Sequence, residues 1–256
     1  MKRLLACVAV LFLAVGCAQF EVEKTSPDGA PAASTRDDRI ALFSDNPATG
    51  LPRQWDPLVL FRTKKRTHYQ LVSENGKTVL HAIAAASTSG LMQNVNIDPM
   101  QQPWLNWQWK IGGLVDTSDR DTRATEDSPG RIILGFDGDK DKLPFSDLIL
   151  FETARVFTGY DFPYATLMYI WDAKAPIGTI LTSKRSGRIK MLVVANGTAG
   201  VGQWQVFTRN IVADFESAYG EKPGRMIGVG VLTDTDTSGE TVETWYGDIR
   251  LQGASD

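Results

Sequence analysis

Carboxylates are the side chains of this 256-residue chain best placed to do chemistry, either as a catalytic acid–base pair or as ligands for a hard cation. A glycan-cleaving site needs two carboxyl groups flanking the scissile bond, ~5–9.5 Å apart depending on mechanism. Glu152, Asp161, Asp172 and Glu243 are the acids that could pair across strands. No ExDxE triplet occurs, the pattern that would set three carboxylates on one face of a glucanase strand.

Two acidic loops offer oxygen ligands at alternate positions, as calcium requires. Asp137-Gly138-Asp139-Lys140-Asp141 opens in that way, but Lys142 stands where the sharp turn needs glycine and Leu148 where a bidentate Glu is needed. Asp234-Thr235-Asp236-Thr237-Ser238-Gly239 has the glycine, while Trp245 takes its final ligand position. Asp248 follows within one strand length, so Asp234, Asp236 and Asp248 are the candidate ligands of a structural Ca2+. For both loops a plain hairpin turn is the alternative, favoured by Asp-Gly and Ser-Gly.

Other chemistries lack their signatures. His68 and His81 are the only histidines, so there is no HExxH helix and no cluster for zinc. Neither GxSxG nor SxxK occurs. Aromatic and amide side chains supply the remaining functional pattern. Sugar rings pack their C–H faces on flat aromatic walls, while amides and carboxylates take the hydroxyls in concave sites. Leu105, Trp107, Trp109 and Ile111 alternate with Asn106, Gln108 and Lys110, so one face of that strand is apolar and the other could line a polar groove. Tyr160, Tyr164, Tyr169 and Trp171 gather around Asp161 and Asp172, and Arg209 with Asn210 offers further polar contacts. For every aromatic in these groups, core packing is the plain alternative.

Short apolar runs punctuated by Gly, Pro, Asn and Asp begin near Arg39 and continue almost to the end. They predict strands at Val79–Ala84, Leu91–Ile97, Leu105–Ile111, Arg131–Phe136, Leu148–Phe151, Thr166–Trp171, Ile189–Val193, Gln203–Phe207, Ile227–Thr233 and Val242–Leu251. About ten strands of this kind give an all-β fold, an antiparallel two-sheet sandwich of jelly-roll type. One helix is expected near 214–219, with Asp214 as its cap and Gly220 as its stop.

The N-terminus carries an address. Lys2 and Arg3 precede an apolar stretch of about a dozen residues, the size of a signal peptide and short of the ~20 that span a bilayer. Ala14-Val15-Gly16-Cys17 resembles the lipobox of bacterial lipoproteins, with Ala14 where that box usually has Leu, which implies that residues 1–16 are removed and Cys17 carries lipid; ordinary signal-peptide cleavage, leaving a soluble periplasmic or secreted protein, is the alternative. By the same resemblance, Ala18 and Gln19 in place of Asp point to the outer rather than the inner membrane, with the domain facing the periplasm. Cys7 lies in the removed segment, so no thiol remains for a disulfide or a redox site. Residues 17–38 read as a tether rich in Ala, Ser, Thr, Pro and charge, and residues 39–256 as the sandwich domain. A formal charge of −3, without a basic stripe, argues against a nucleic-acid partner.

Four islands carry a family likeness: Trp107-Gln108-Trp109-Lys110; Pro163 to Trp171; Arg209-Asn210-Ile211 with Asp214-Phe215; and Thr233-Asp234-Thr235-Asp236 with Tyr246-Gly247-Asp248-Ile249. Together they resemble a family of exported bacterial proteins known only as a domain of unknown function, number 3047. The resemblance runs from Ile40 to Leu251 and implies export and an all-β fold, but no activity. Trp245 to Leu251 also looks like the last strand of jelly-roll carbohydrate-binding modules, where that strand often helps to hold structural calcium. The expectation is therefore a lipid-anchored, non-catalytic envelope protein that binds a glycan or another envelope component. A glycan hydrolase or lyase using paired carboxylates and a structural partner in an envelope assembly are the alternatives.

Overall fold

Strict alternation of side chains shapes one sheet of this protein, and its absence shapes the other. The structure is a computed structural model that describes residues 37–115, 127–158 and 160–253. The expectations for residues 1–36, including the signal peptide, Cys17 and most of the tether, lie outside the described residues. No helix among the described residues is long and apolar enough to cross a membrane.

The chain begins with β1 (Asp56–Leu58), β2 (His68–Glu74), β3 (Lys77–Ala85), β4 (Thr88–Ile97), β5 (Trp104–Ile111) and β6 (Ser128–Phe136). Helix α1 (Phe145–Thr158) leads to β7 (Ala165–Asp172), β8 (Ile180–Thr182), β9 (Ile189–Asn196) and β10 (Gln205–Asn210). Helix α2 (Ile211–Tyr219) precedes β11 (Met226–Asp234), β12 (Thr241–Tyr246) and β13 (Arg250–Gln252). A seven-stranded sheet runs β1-β4-β11-β6-β7-β9-β8. The six-stranded sheet facing it runs β10-β5-β12-β3-β2, with β13 also paired to β5. The fold is a two-sheet β-sandwich.

In the six-stranded sheet, β5 buries Leu105, Trp107, Trp109 and Ile111 and leaves Asn106, Gln108 and Lys110 half-buried on the outer side. Trp107 stacks on Tyr169 of the opposite sheet at 4.9 Å and on Phe207 at 5.0 Å. These rings form the middle of the core, in the offset and edge-on geometries that aromatic quadrupoles favour.

The seven-stranded sheet behaves differently. Every residue of β6 is buried, because Ile132, Leu134 and Phe136 face the sandwich core while Ile133 packs with Leu58 and Leu232 on the far side. A continuous apolar run is what a strand covered on both faces requires. One neighbouring pair, β7 with β9, is parallel, with Tyr169 opposite Leu192. This corrects the expectation of a wholly antiparallel sandwich: segment 173–188, including β8, carries the chain back to start β9 at the same end as β7.

Helix α1 is the second correction. Leu148–Phe151 reads as a short apolar strand, yet it forms part of a helix that starts just after Pro144, whose carbonyl accepts from Asp147 N at 2.9 Å and Leu148 N at 3.1 Å. Short apolar runs do not distinguish strand from helix by periodicity. Leu148, Leu150 and Phe151 pack inward, whereas Phe145, Ile149 and Val156 face solvent.

The third correction concerns α2, which begins three residues before Asp214. Asn210 is the cap, its Oδ1 accepting from Val212 N at 3.1 Å and Ala213 N at 3.0 Å. Gly220 ends the helix at φ 71°, a left-handed conformation that glycine adopts without strain. Asp214 sits inside the first turn and accepts from Tyr169 Oη at 2.8 Å and from Arg209 Nε at 2.9 Å. Asn210→Ala is expected to lower stability by ~1 kcal/mol, measured as a denaturant midpoint. An unchanged midpoint would show that water replaces the cap at no cost.

Candidate functional site

The outer face of the seven-stranded sheet carries a slot of about 150 Å³. Its floor is Ile133 of β6, Met168 of β7 and Leu232 of β11; Leu150 of α1 and the loop residues Tyr160, Phe162, Leu60 and Phe61 form its walls. These positions follow from the both-faces burial of the sheet, since an apolar outer face needs a cover, here from Leu58 and Leu60, from Tyr160, and from Leu150 of α1 at the slot. Burial pushes the Tyr160 phenol up to about 12, with a smaller contribution from Asp161.

The polar end of the slot is built on β6 and β11. Arg131, 6 % exposed, lies in the middle of an otherwise apolar strand. Its Nη2 is 3.7 Å from Asp234 Oδ2, too long for a hydrogen bond. Neither Nε nor Nη2 of Arg131 has a hydrogen-bond partner among the described residues. Around it stand Asp127, Asp234 and Asp236, whose oxygens lie within 4.8 Å of one another. Asp127 Oδ2 accepts from Thr237 N at 3.1 Å and Ser238 N at 2.7 Å, which holds the β11–β12 turn. Lys64 Nζ pairs with Asp236 Oδ2 at 3.0 Å.

Burial is the main cause that pushes the Asp234 carboxyl up to about 7; Arg131 opposes it, and Asp127 and Asp236 add to it. For Asp236 burial alone would act upward, but hydrogen bonds from Lys64 and neighbouring groups outweigh it and hold the carboxyl below its usual range. Calcium takes six to eight oxygen ligands. Three carboxylates offer part of that set, yet Asp127 is engaged by two backbone N–H groups, Asp236 by an ammonium, and a guanidinium faces Asp234. The donor set suits hydrogen bonding to a polar ligand better than a calcium cage.

Sequence reasoning placed Asp234 and Asp236 in one site, and the structure keeps them together. Asp248 stands apart: its Oδ1 accepts from Ser44 N at 3.0 Å, and its Oδ2 from Ser44 Oγ at 2.6 Å and Arg250 Nη2 at 2.7 Å. Tyr160 lines the slot, but the rest of its expected aromatic group is dispersed. Tyr169 and Trp171 are sealed in the core, Trp171 donating Nε1–H to Gly197 O at 3.0 Å. Tyr164 lies under Arg188, 3.9 Å from its ring, and bonds Glu221 at 3.1 Å. Asp161 is exposed and paired with Lys140 at 2.9 Å. Asp172 is buried and accepts from Lys174 N and Ala175 N, each at 2.7 Å, to form a turn.

Asn106, Gln108 and Lys110 share the outer face of the other sheet and belong to local networks there. Asn106 bonds Thr208 and Gln252, Gln108 packs under Gly247, and Lys110 pairs with Glu74 while lying 4.1 Å from the Trp245 ring. His81 stacks on that same indole at 4.5 Å and bonds Glu243 at 2.8 Å. Arg209 and Asn210 serve α2, as described above. Glu152 pairs with Arg155, so none of the four acids considered for catalysis is partnered with another of them. The Asp137 loop forms a 3₁₀ turn over Lys140–Lys142, capped by Asp139.

Arg131 and Asp127 are the site residues that sequence reasoning missed. A signal for Arg131 existed: an arginine inside a run otherwise fit for burial on both faces must find a partner or a ligand. Asp127 had no such signal, being one acid of a charged stretch far in sequence from Asp234.

The model for a protein family of unknown function, DUF3047, matches residues 53–250. The chain belongs to this family. DUF3047 membership covers both sheets and the slot, and its description brings no activity with it. No curated protein matches the sequence. Among solved structures, the chain is similar to a family 29 carbohydrate-binding module complexed with mannohexaose, at 11 % identity over 85 % of this chain and 94 % of that one, TM-score 0.34. It is similar also to the family 30 module of a Clostridium thermocellum cellulosomal cellulase, at 10 % identity over 86 % and 96 %, TM-score 0.33. A CBM4 structure gives 13 % identity over 82 % and 99 %, TM-score 0.33. At TM-scores this low, nothing about the ligand of the DUF3047 slot is drawn from these alignments.

Proposed function

We propose that this chain is an exported protein, held at the bacterial envelope by lipid on Cys17 and facing the periplasm from the outer membrane, that binds a glycan without cleaving it. The observation that carries the reading is the make-up of the slot: apolar and aromatic walls end at Arg131, whose Nε and Nη2 lack hydrogen-bond partners among the described residues and stand beside three carboxylates. A sugar hydroxyl both donates and accepts, so it needs donors and acceptors side by side, while the C–H face of the ring needs an apolar wall. The lipobox-like Ala14-Val15-Gly16-Cys17 supports the address.

Full-length protein in detergent, offered envelope polysaccharides on an array, should bind at least one of them saturably. Phe61 is 37 % exposed, with Arg185 4.7 Å from its ring, so its removal tests the wall with little disturbance of the core. Phe61→Ala should weaken binding about tenfold, the equivalent of ~1.4 kcal/mol. No ligand on the array, or an affinity indifferent to Phe61, would remove the support for this site. A second reading draws on Asp234 alone. An acid raised to about 7 beside other carboxylates is equipped to protonate a leaving group, and release of shortened glycan during the same incubation would favour a hydrolase.

A further inference from the structure

We infer that the slot recognises one uncharged sugar ring at the end of a glycan, through two neighbouring hydroxyls bridged by the Nε–Nη2 edge of Arg131 and the adjacent Asp carboxylates. This rests on the glycan reading above and narrows it to a ligand class. Nε and Nη2 form the side-on edge of a guanidinium, two parallel N–H bonds in fixed geometry suited to a pair of adjacent oxygens. Neither atom of this edge has a hydrogen-bond partner among the described residues, Nη2 standing 3.7 Å from Asp234 Oδ2, whereas the other polar groups of the cluster are hydrogen-bonded. A buried donor left without an acceptor costs ~1–3 kcal/mol or more when charged, so a small turn of Arg131 toward the slot it lines is repaid by a ligand that brings two acceptors.

The surrounding charges select among such ligands. A carboxylate or phosphate would fit the fork of Arg131, but it would also face Asp234, 3.7 Å from Nη2, and Asp127 beside it. Lys64 does not offset this, since it is held by Asp236, and the other cation of the lining, Arg185, stacks on the Phe61 wall. Vicinal hydroxyls meet no repulsion: each accepts a hydrogen bond from Arg131 and donates one to a carboxylate. Size sets the second limit. At about 150 Å³ the slot is smaller than the ~300–1,000 Å³ of sites for drug-sized ligands, so it holds a single ring and not a run of them. A ring seated alone must be a chain terminus or a free monosaccharide.

The test uses full-length protein in detergent and ligand-observed NMR titration with methyl glycosides of glucose, galactose and mannose, their single-deoxy analogues, and the corresponding uronic acids. At least one neutral glycoside should bind, and removing either of two adjacent hydroxyls should weaken it tenfold or more. Its uronic acid should bind more weakly, and longer oligomers should bind no better than that one ring. Arg131→Lys, which keeps the charge and loses the side-on edge, should abolish the distinction between the parent and its deoxy analogues. If that variant does not fold, the analogues measured on the unaltered chain decide alone. Binding confined to oligosaccharides, equal affinity for every deoxy analogue, or preference for the uronic acid would overturn this inference and leave the glycan reading standing. Failure of every mono- and oligosaccharide would overturn both.

Discussion

Trp107→Ala is expected to lower stability by ~3–5 kcal/mol, a large share of the ~5–15 kcal/mol that holds a typical domain together. The indole is 2 % exposed and touches three other rings, Tyr169 at 4.9 Å, Phe207 at 5.0 Å and Trp109 at 5.8 Å. Truncation would open a cavity between these rings, where the two sheets meet. Trp107→Phe should behave quite differently. Nε1 of Trp107 has no hydrogen-bond partner among the described residues, so the native indole already bears a desolvation cost of ~1–3 kcal/mol. Phenylalanine removes that cost along with part of the ring, and its net effect should stay below ~2 kcal/mol. Denaturant midpoints of the two variants measure this directly. A phenylalanine variant as unstable as the alanine one would mean that the indole N–H is satisfied in solution.

The contrast between the sheets explains how much of this protein is legible from its residues. Alternation over Leu105–Ile111 needs only one buried face, and it assigns Trp107 and Trp109 inward without knowledge of any partner strand. In β6 the same logic has nothing to act on, because Ile132, Ile133 and Leu134 are all buried and only the cover on each side tells them apart. Arg131 stands out in that run, but its setting depends on β11 lying next to β6, with Asp234 opposite Ser128 and Leu232 opposite Arg131. Strand order is a property of the whole topology. Asp234 and Asp236 are two residues apart and could be paired from spacing, whereas Asp127 joins them only through that order. Asp248 looked equivalent because it follows within a strand length, yet the break at Gly247 and the pairing with Ser44 take it elsewhere. The aromatic group from Tyr160 to Trp171 fails for a related reason: β7 sends Tyr169 and Trp171 into the core, while Tyr160 lies in the loop before it.

Between about pH 4 and pH 7 the chain is expected to lose stability, and Asp234→Asn to remove most of that loss. The folded-state carboxyl, raised from 3.8 to about 7, binds protons more tightly than the same group in the unfolded chain. The native state therefore holds more protons over that interval, and stability falls as pH rises through it. The penalty is absent well below pH 4 and complete above about pH 7. At ~1.4 kcal/mol for each pH unit it amounts to roughly 4 kcal/mol. Asp236 does not cancel it, because a carboxyl held below its usual range stays ionised throughout the interval. An asparagine keeps an oxygen for the Asp236 N–H, 3.1 Å away, and carries no charge to desolvate. Melting temperatures of the two proteins should converge near pH 4, with the variant clearly higher at pH 8. If the variant melts lower at pH 8, the ionised carboxylate is welcome in the folded chain, and only an added positive partner can account for that. Repeating the pH 8 comparison in excess EDTA then identifies the partner: a divalent cation if the unaltered protein loses its advantage, Arg131 if it does not.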